Sequence, residues 1–106
     1  MPWLHAILVL TRFRAALGEL YGDRLLRVVL FGSRARDEAR SDSDYDVAVF
    51  LDELTDRWTE LKRLADLRVR FLDETGAFFD AKPYSEAAYR NSTPLMHEIR
   101  REGVDI

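Results

Sequence analysis

Leu4, Ile7, Leu8, Phe13, Leu17 and Leu20 recur at near-helical spacing and predict an amphipathic helix over about residues 3–21, stopped by Gly22. Leu25 to Phe31 (LLRVVLF) is a short apolar, β-branched run, the pattern of a buried strand, and Gly32 ends it. Ser33 to about Glu38 fits one helical turn. Tyr45 to Leu51 (YDVAVFL) predicts a second strand, with Asp44, Asp46, Ala48 and Phe50 on one face and Tyr45, Val47, Val49 and Leu51 on the other. Thr55 suits the N-cap of a long helix whose apolar stripe is Trp58, Leu61, Leu64, Ala65, Phe71 and Leu72, closed by Gly76. Ala77 to Tyr84 predicts a third strand. Pro83 lacks a ladder donor, which places that strand at a sheet edge or Pro83 at a strand end. Ser85 caps a short helix (SEAAYR). Thr93-Pro94 opens a last one, with Leu95 and Ile99 facing inward and Gly103 at its end. The order predicts an α/β (α+β) fold: a small mixed sheet of three to four strands with helices packed on it.

The 106 residues suit one compact domain spanning 1–106, and 47% hydrophobic residues suffice for a core. No apolar run approaches the roughly 18–20 residues that a membrane span requires, so no membrane partner is expected. The apolar start is broken by Arg12 and Arg14 and lacks a basic lead, a helix pattern rather than a signal peptide. The chain has no cysteine, which excludes disulfides and thiolate metal sites and makes a cytoplasmic location the expectation. Net charge is −3 with scattered basic residues, against a dedicated nucleic-acid surface but compatible with a nucleotide.

Candidate chemistry concentrates in GSRARDEARSDSDYD, Gly32 to Asp46, where four aspartates and three arginines follow a Gly-Ser pair. Asp44 and Asp46, two apart on a strand, point to one side and repel unless a cation lies between them. Hard divalent ions such as Mg²⁺ take carboxylate oxygens together with substrate phosphate. The pair therefore suggests one Mg²⁺, or two ions roughly 3.5–4 Å apart. Gly32 permits close backbone approach to a ligand. Ser33 offers a hydroxyl and an N–H at the start of a turn, where phosphate is attracted. Arg34, Arg36 and Arg40 add countercharge for a triphosphate. Asp80, in the third strand, becomes a third metal-binding carboxylate and a general base if that strand lies beside the second.

Each of these residues also has a plainer reading. Asp44 and Asp46 alone fit a solvated strand end, and the Gly-Ser pair at this spacing favours the metal site. Asp42 reads as a loop residue, Asp80 also as a partner of Lys82 or an arginine, and each arginine also as loop surface. Tyr45, Trp3 and Trp58 read as packing or interface residues, and His5, His97 and Lys82 as surface.

Gly32-Ser33, ten residues, then Asp44-Tyr45-Asp46 resembles the signature of the DNA polymerase β-type nucleotidyltransferase superfamily. GSRAR followed by SDYDV resembles the minimal nucleotidyltransferase domain family. The likeness extends over nearly the whole chain, to the closing Glu102–Val104. It implies a nucleotidyltransferase fold, with Ser33 on nucleotide phosphate, Asp44 and Asp46 on Mg²⁺ and Asp80 as the third acid. Many prokaryotic members are antitoxins encoded beside an all-helical HEPT-domain toxin, and some transfer AMP from ATP to a tyrosine of that toxin. Position 37, usually glycine in this family, is Asp37, which tolerates a left-handed turn but adds negative charge near the expected triphosphate.

Two functions follow as expectations. The first is an enzyme that transfers AMP from ATP to a hydroxyl, best a tyrosine on a HEPT-type partner in a hetero-oligomer. The second is an antitoxin that neutralises its partner by binding alone. Nucleotide addition to a small molecule or an RNA end is a weaker third.

Overall fold

The computed structural model describes residues 2–36, 38 and 43–106, the side chains of residues 2 and 3 excepted. The expectations placed on Asp37, Arg40 and Asp42, and on the Trp3 side chain, lie outside the described residues. Helix α1 (Pro2–Tyr21) leads through a 3₁₀ turn, Gly22–Arg24, into strand β1 (Leu25–Phe31). A second 3₁₀ turn, Gly32–Arg34, follows. Then come β2 (Tyr45–Leu51), α2 (Arg57–Thr75), β3 (Phe79–Ser85), a 3₁₀ segment at Glu86–Arg90, α3 (Pro94–Glu102) and β4 (Val104–Asp105).

The four strands form one mixed sheet in the order β3-β2-β1-β4. β1 pairs antiparallel with β2 and β4, whereas β2 and β3 run parallel. A parallel neighbour needs a long crossover, and α2 provides it. The fold class is therefore the expected one, three helices on a small mixed sheet. The position of the fourth strand, β4, was not predicted: two residues carry no periodicity, and its pairing of Val104 with Leu30 is set by tertiary contact. β3 lies at a sheet edge, as Pro83 requires.

Side-chain chemistry explains the helix ends. The Asp56 carboxylate, rather than Thr55, caps α2, accepting from the Thr59 amide at 3.2 Å. Gly76 closes α2 in the left-handed region (φ 76°), with its N–H on the Leu72 carbonyl. Thr93 accepts from the Met96 amide and Pro94 takes the first turn of α3, as predicted.

The core is divided by the sheet. On one face α1 and α2 bury Phe13, Leu17, Leu64 and Phe71 against Val47, Val49, Leu51 and Phe79. Phe13 stacks on Phe79 at 3.8 Å between centroids and meets Phe71 edge-on at 5.1 Å. On the other face α3 covers Val29, Ala48 and Phe50 with Met96 and Ile99. Burying each such side chain contributes roughly 1.5–3 kcal/mol. The predicted alternation of β2 is thus correct, and both of its faces are packed.

The predicted helix faces need correction. The buried line of α1 is Val9, Phe13, Ala16, Leu17 and Tyr21, while Leu4, Ile7, Leu8 and Leu20 are exposed. On α2 the line is Glu60, Leu64, Leu67 and Phe71, a strict helical spacing that leaves Trp58 67% exposed and Ala65 outside. On α3 Met96, not Leu95, accompanies Ile99 inward. In α1 and α2 apolar residues exceed what one face holds, so composition alone does not fix the rotation. Glu60 is tolerated in its line because Arg24 and Arg63 both pair with its carboxylate. Among the described residues no helix is long and apolar enough to cross a membrane.

Candidate active site

The site assembles at one end of the sheet. β1 runs into it and β2 and β3 run out of it, so the end of β1 and the starts of the other two coincide. In register Phe31 lies opposite Asp46, and Asp46 lies opposite Asp80. Asp46 is therefore the middle of a row whose neighbours are the residue before Gly32 and the third predicted acid. Asp44 precedes β2 and is exposed, and Asp46 and Asp80 are half-buried. The role expected of Asp80 depends on this adjacency of the second and third strands.

Gly32 has a role more specific than ligand approach. Its φ is +75°, a conformation that strains any side-chain-bearing residue. A Cβ added there would meet Asp46 Oδ2 at 2.3 Å. The carboxylate of Asp46 rests in the space that the missing side chain leaves, and glycine is needed for both reasons. Ser33 is half-buried in the 3₁₀ turn, where its carbonyl accepts from the Glu38 amide at 2.9 Å and the Gly32 carbonyl accepts from Arg36.

Arg34 has a structural task that the sequence did not reveal. Its Nη2 donates to the Ser43 carbonyl at 2.7 Å, and its guanidinium lies 4.0 Å above the Tyr45 ring. It thereby fastens the backbone just before Asp44 to the turn carrying Ser33. Tyr45 is buried against Phe79, in line with the packing role expected for it. Arg36 pairs with Glu38 and, at 3.5 Å, with Glu102 of α3, tying the turn to that helix.

The electrostatics are dominated by negative charge. Burial pushes the Asp46 carboxyl above its ordinary range, and the carboxylates of Asp80, Asp44 and Glu98 push it further, with Lys82 opposing. Glu98 was missed by the sequence reading. It stands beside the buried Ile99 on α3, four residues before Glu102, and only the packing of α3 over the sheet brings it near Asp46. It also lines a shallow cleft of about 460 Å³ along α3 between Pro94 and Glu102. His5 and His97 are exposed, as expected.

A divalent cation suits this donor set in kind: hard oxygen ligands, half-buried, with one carboxyl already disfavoured as an anion. Asp44, Asp46 and Asp80 are the residues that would hold it. Among the described residues, no three His, Cys, Asp or Glu side chains converge tightly enough to enclose an ion. Asp80 faces Arg68 at 4.0 Å and Lys82 at 3.9 Å instead.

The acid row and the glycine turn thus meet at one end of a small mixed sheet. A family model described as nucleotidyltransferase domain matches residues 10–87, and the chain belongs to that family. No curated protein matches the sequence significantly. Among solved structures, the fold is similar to a toxin-antitoxin crystallised with AMP-PNP (TM-score 0.61, 21% identity, 89% of this chain and 69% of that one). It is similar to a MntA-HpeT toxin-antitoxin mutant in which a tyrosine is replaced by alanine (TM-score 0.63, 20% identity, 91% and 70%). It is also similar to a Sulfolobus solfataricus protein provisionally assigned as a nucleotidyltransferase (TM-score 0.56, 16% identity, 95% and 75%). At these identities the likeness establishes the shared fold.

Proposed function

We propose that this protein transfers AMP from ATP to a hydroxyl acceptor with Mg²⁺, and that the acceptor is a tyrosine of a HEPT-type toxin that it silences. The observation that carries the reading is Asp46 in register beside Asp80 at one sheet end, with its carboxylate against Gly32 and Asp44 just ahead of it. Membership in the nucleotidyltransferase family supports the reaction type. The toxin-antitoxin neighbours, one with AMP-PNP and one with a mutated tyrosine, support the nucleotide and the partner.

In this reading Ser33 and the turn amides receive the triphosphate, and the Gly32 backbone keeps the Asp46 carboxylate turned inward. Mg²⁺ held by Asp44, Asp46 and Asp80 would supply charge neutralisation for the phosphates and lower the pKa of the acceptor hydroxyl. Asp80 takes the acceptor's proton, the acceptor oxygen bonds to the α-phosphorus, and the bond to pyrophosphate breaks. Arg34 acts in this scheme by holding the segment before Asp44, beyond the phosphate contact first expected of it.

The test is a transfer assay with the toxin-like partner, Mg²⁺ and ATP labelled at the α- or the γ-phosphate, read by intact mass. AMP-sized adducts carrying only α-label, absent with Asp44→Asn/Asp46→Asn, are the expected result. No adduct, with the two proteins still co-purifying and the variant binding equally well, would leave a neutraliser that acts by contact.

A further inference from the structure

Lys82 is one of two lysines in the chain, and the acid row turns it from surface decoration into part of the site. The parallel register sets Asp80 beside Asp46 and Lys82 beside Ala48, so Lys82 lies one pleat repeat along the same sheet face as the acids. The two oxygens of Asp80 each face a cation: Oδ1 meets Arg68 at 4.0 Å and Oδ2 meets Lys82 at 3.9 Å.

These two cations differ in how they are held. Arg68 donates through Nε to the Phe79 carbonyl, so its guanidinium is anchored to the backbone of the strand it flanks. Lys82 makes no hydrogen bond among the described residues, and its side chain is 54% exposed. An ammonium on a flexible four-carbon stem can leave at small cost, whereas an anchored guanidinium cannot.

We propose that Lys82 is a displaceable counter-cation of Asp80: it neutralises the third acid until a divalent ion takes that oxygen, and the two compete for it. The inference rests on the metal-binding reading above. Lys82 is thus a positioning residue that sets how tightly the site takes its metal. Without it Asp80 would keep Arg68 alone as its cation partner among the described residues. With it, a cation must first move aside before Asp80 joins Asp44 and Asp46.

The experiment is Mn²⁺ titration of the full chain, without nucleotide or partner, followed by electron paramagnetic resonance of free Mn²⁺. Lys82→Met removes a unit charge a few ångströms from the ion, and Mn²⁺ affinity is expected to rise roughly five- to tenfold. Lys82→Arg keeps the charge and is expected to stay within about twofold of wild type. A purely structural role for Lys82 would move the melting temperature and leave the affinity unchanged. Unchanged or weaker Mn²⁺ binding in Lys82→Met, with wild-type binding intact and lost in Asp44→Asn/Asp46→Asn, overturns this inference alone. Absence of Mn²⁺ binding by the wild type overturns the metal reading and this inference with it.

Discussion

Replacing Gly32 by alanine separates two demands made on one residue. The backbone demand is a positive φ of +75°, which for a side-chain-bearing residue costs about 1–2 kcal/mol. For a domain of this size that corresponds to a loss of roughly 5–15 °C in melting temperature. Gly76, at φ +76° with nothing within 4 Å of an added Cβ, imposes the same backbone demand and no other. Gly32→Ala and Gly76→Ala should therefore destabilise alike. The second demand is steric, since the new methyl would stand 2.3 Å from Asp46 Oδ2. That oxygen ends a short, rotatable side chain, so the carboxylate turns outward and the fold survives.

On the metal-binding reading proposed above, the site loses a ligand. Removing one carboxylate from a divalent ion forfeits about 2 kcal/mol at 4 Å in a water-like dielectric, close to a thirtyfold loss of affinity. Side-chain carbon NMR gives a readout independent of metal. Burial, with Asp80, Asp44 and Glu98 behind it, raises the Asp46 carboxyl in the wild type. In Gly32→Ala the solvated carboxyl should return toward its ordinary value, while Gly76→Ala leaves it raised. Equal Asp46 titration in both variants would refute the claim that Gly32 seats this carboxylate.

Other outcomes follow from the same geometry. Because the folded state raises the Asp46 pKa, its ionisation opposes folding; that opposition is absent below the unfolded value and grows as pH rises through the folded one. Asp46→Asn should raise the melting temperature of the metal-free protein at neutral pH, and the gain should vanish on acidification through the carboxylate range, measured by calorimetry. Phe13→Ala removes a fully buried ring stacked on Phe79 and edge-on to Phe71, and should cost about 3–5 kcal/mol by urea denaturation. The Tyr21 phenol is pushed up to about 12 by burial and then by Glu60; Glu60→Gln should lower it in an ultraviolet titration without restoring the ordinary value, because burial persists. Trp58→Ala should change stability by less than about 0.5 kcal/mol, since the ring lies in solvent.

The sequence carried the placement of the candidate site residues further than it carried the helix faces. Gly32, Asp44 and Asp46 were legible because strand alternation and turn chemistry act over a few residues. Asp80 was legible conditionally, since its strand's identity was visible and its pairing with β2 was not. Glu98 and Lys82 acquire meaning only through long-range register and the packing of α3, and neither leaves a local signal. The helix rotations failed for the opposite reason. Leu4, Ile7, Leu8 and Trp58 are apolar enough to suggest a core, and burial goes to whichever line meets the sheet. Arg34 belonged to a motif that suggested phosphate, and its bond to Ser43 is invisible without a folded loop.

β2 takes part in both hydrophobic clusters, with every residue from Val47 to Leu51 buried. A substitution there is felt on two faces at once, which leaves this strand little room to vary. Asp46 inherits that immobility from its ladder partners on either side, whereas Asp44 stands outside the ladder. The pair is therefore unequal in its freedom to vary. Under the proposed function, new acceptors or ions would be accommodated by change around Asp44 and along α3, with the strand behind them held constant.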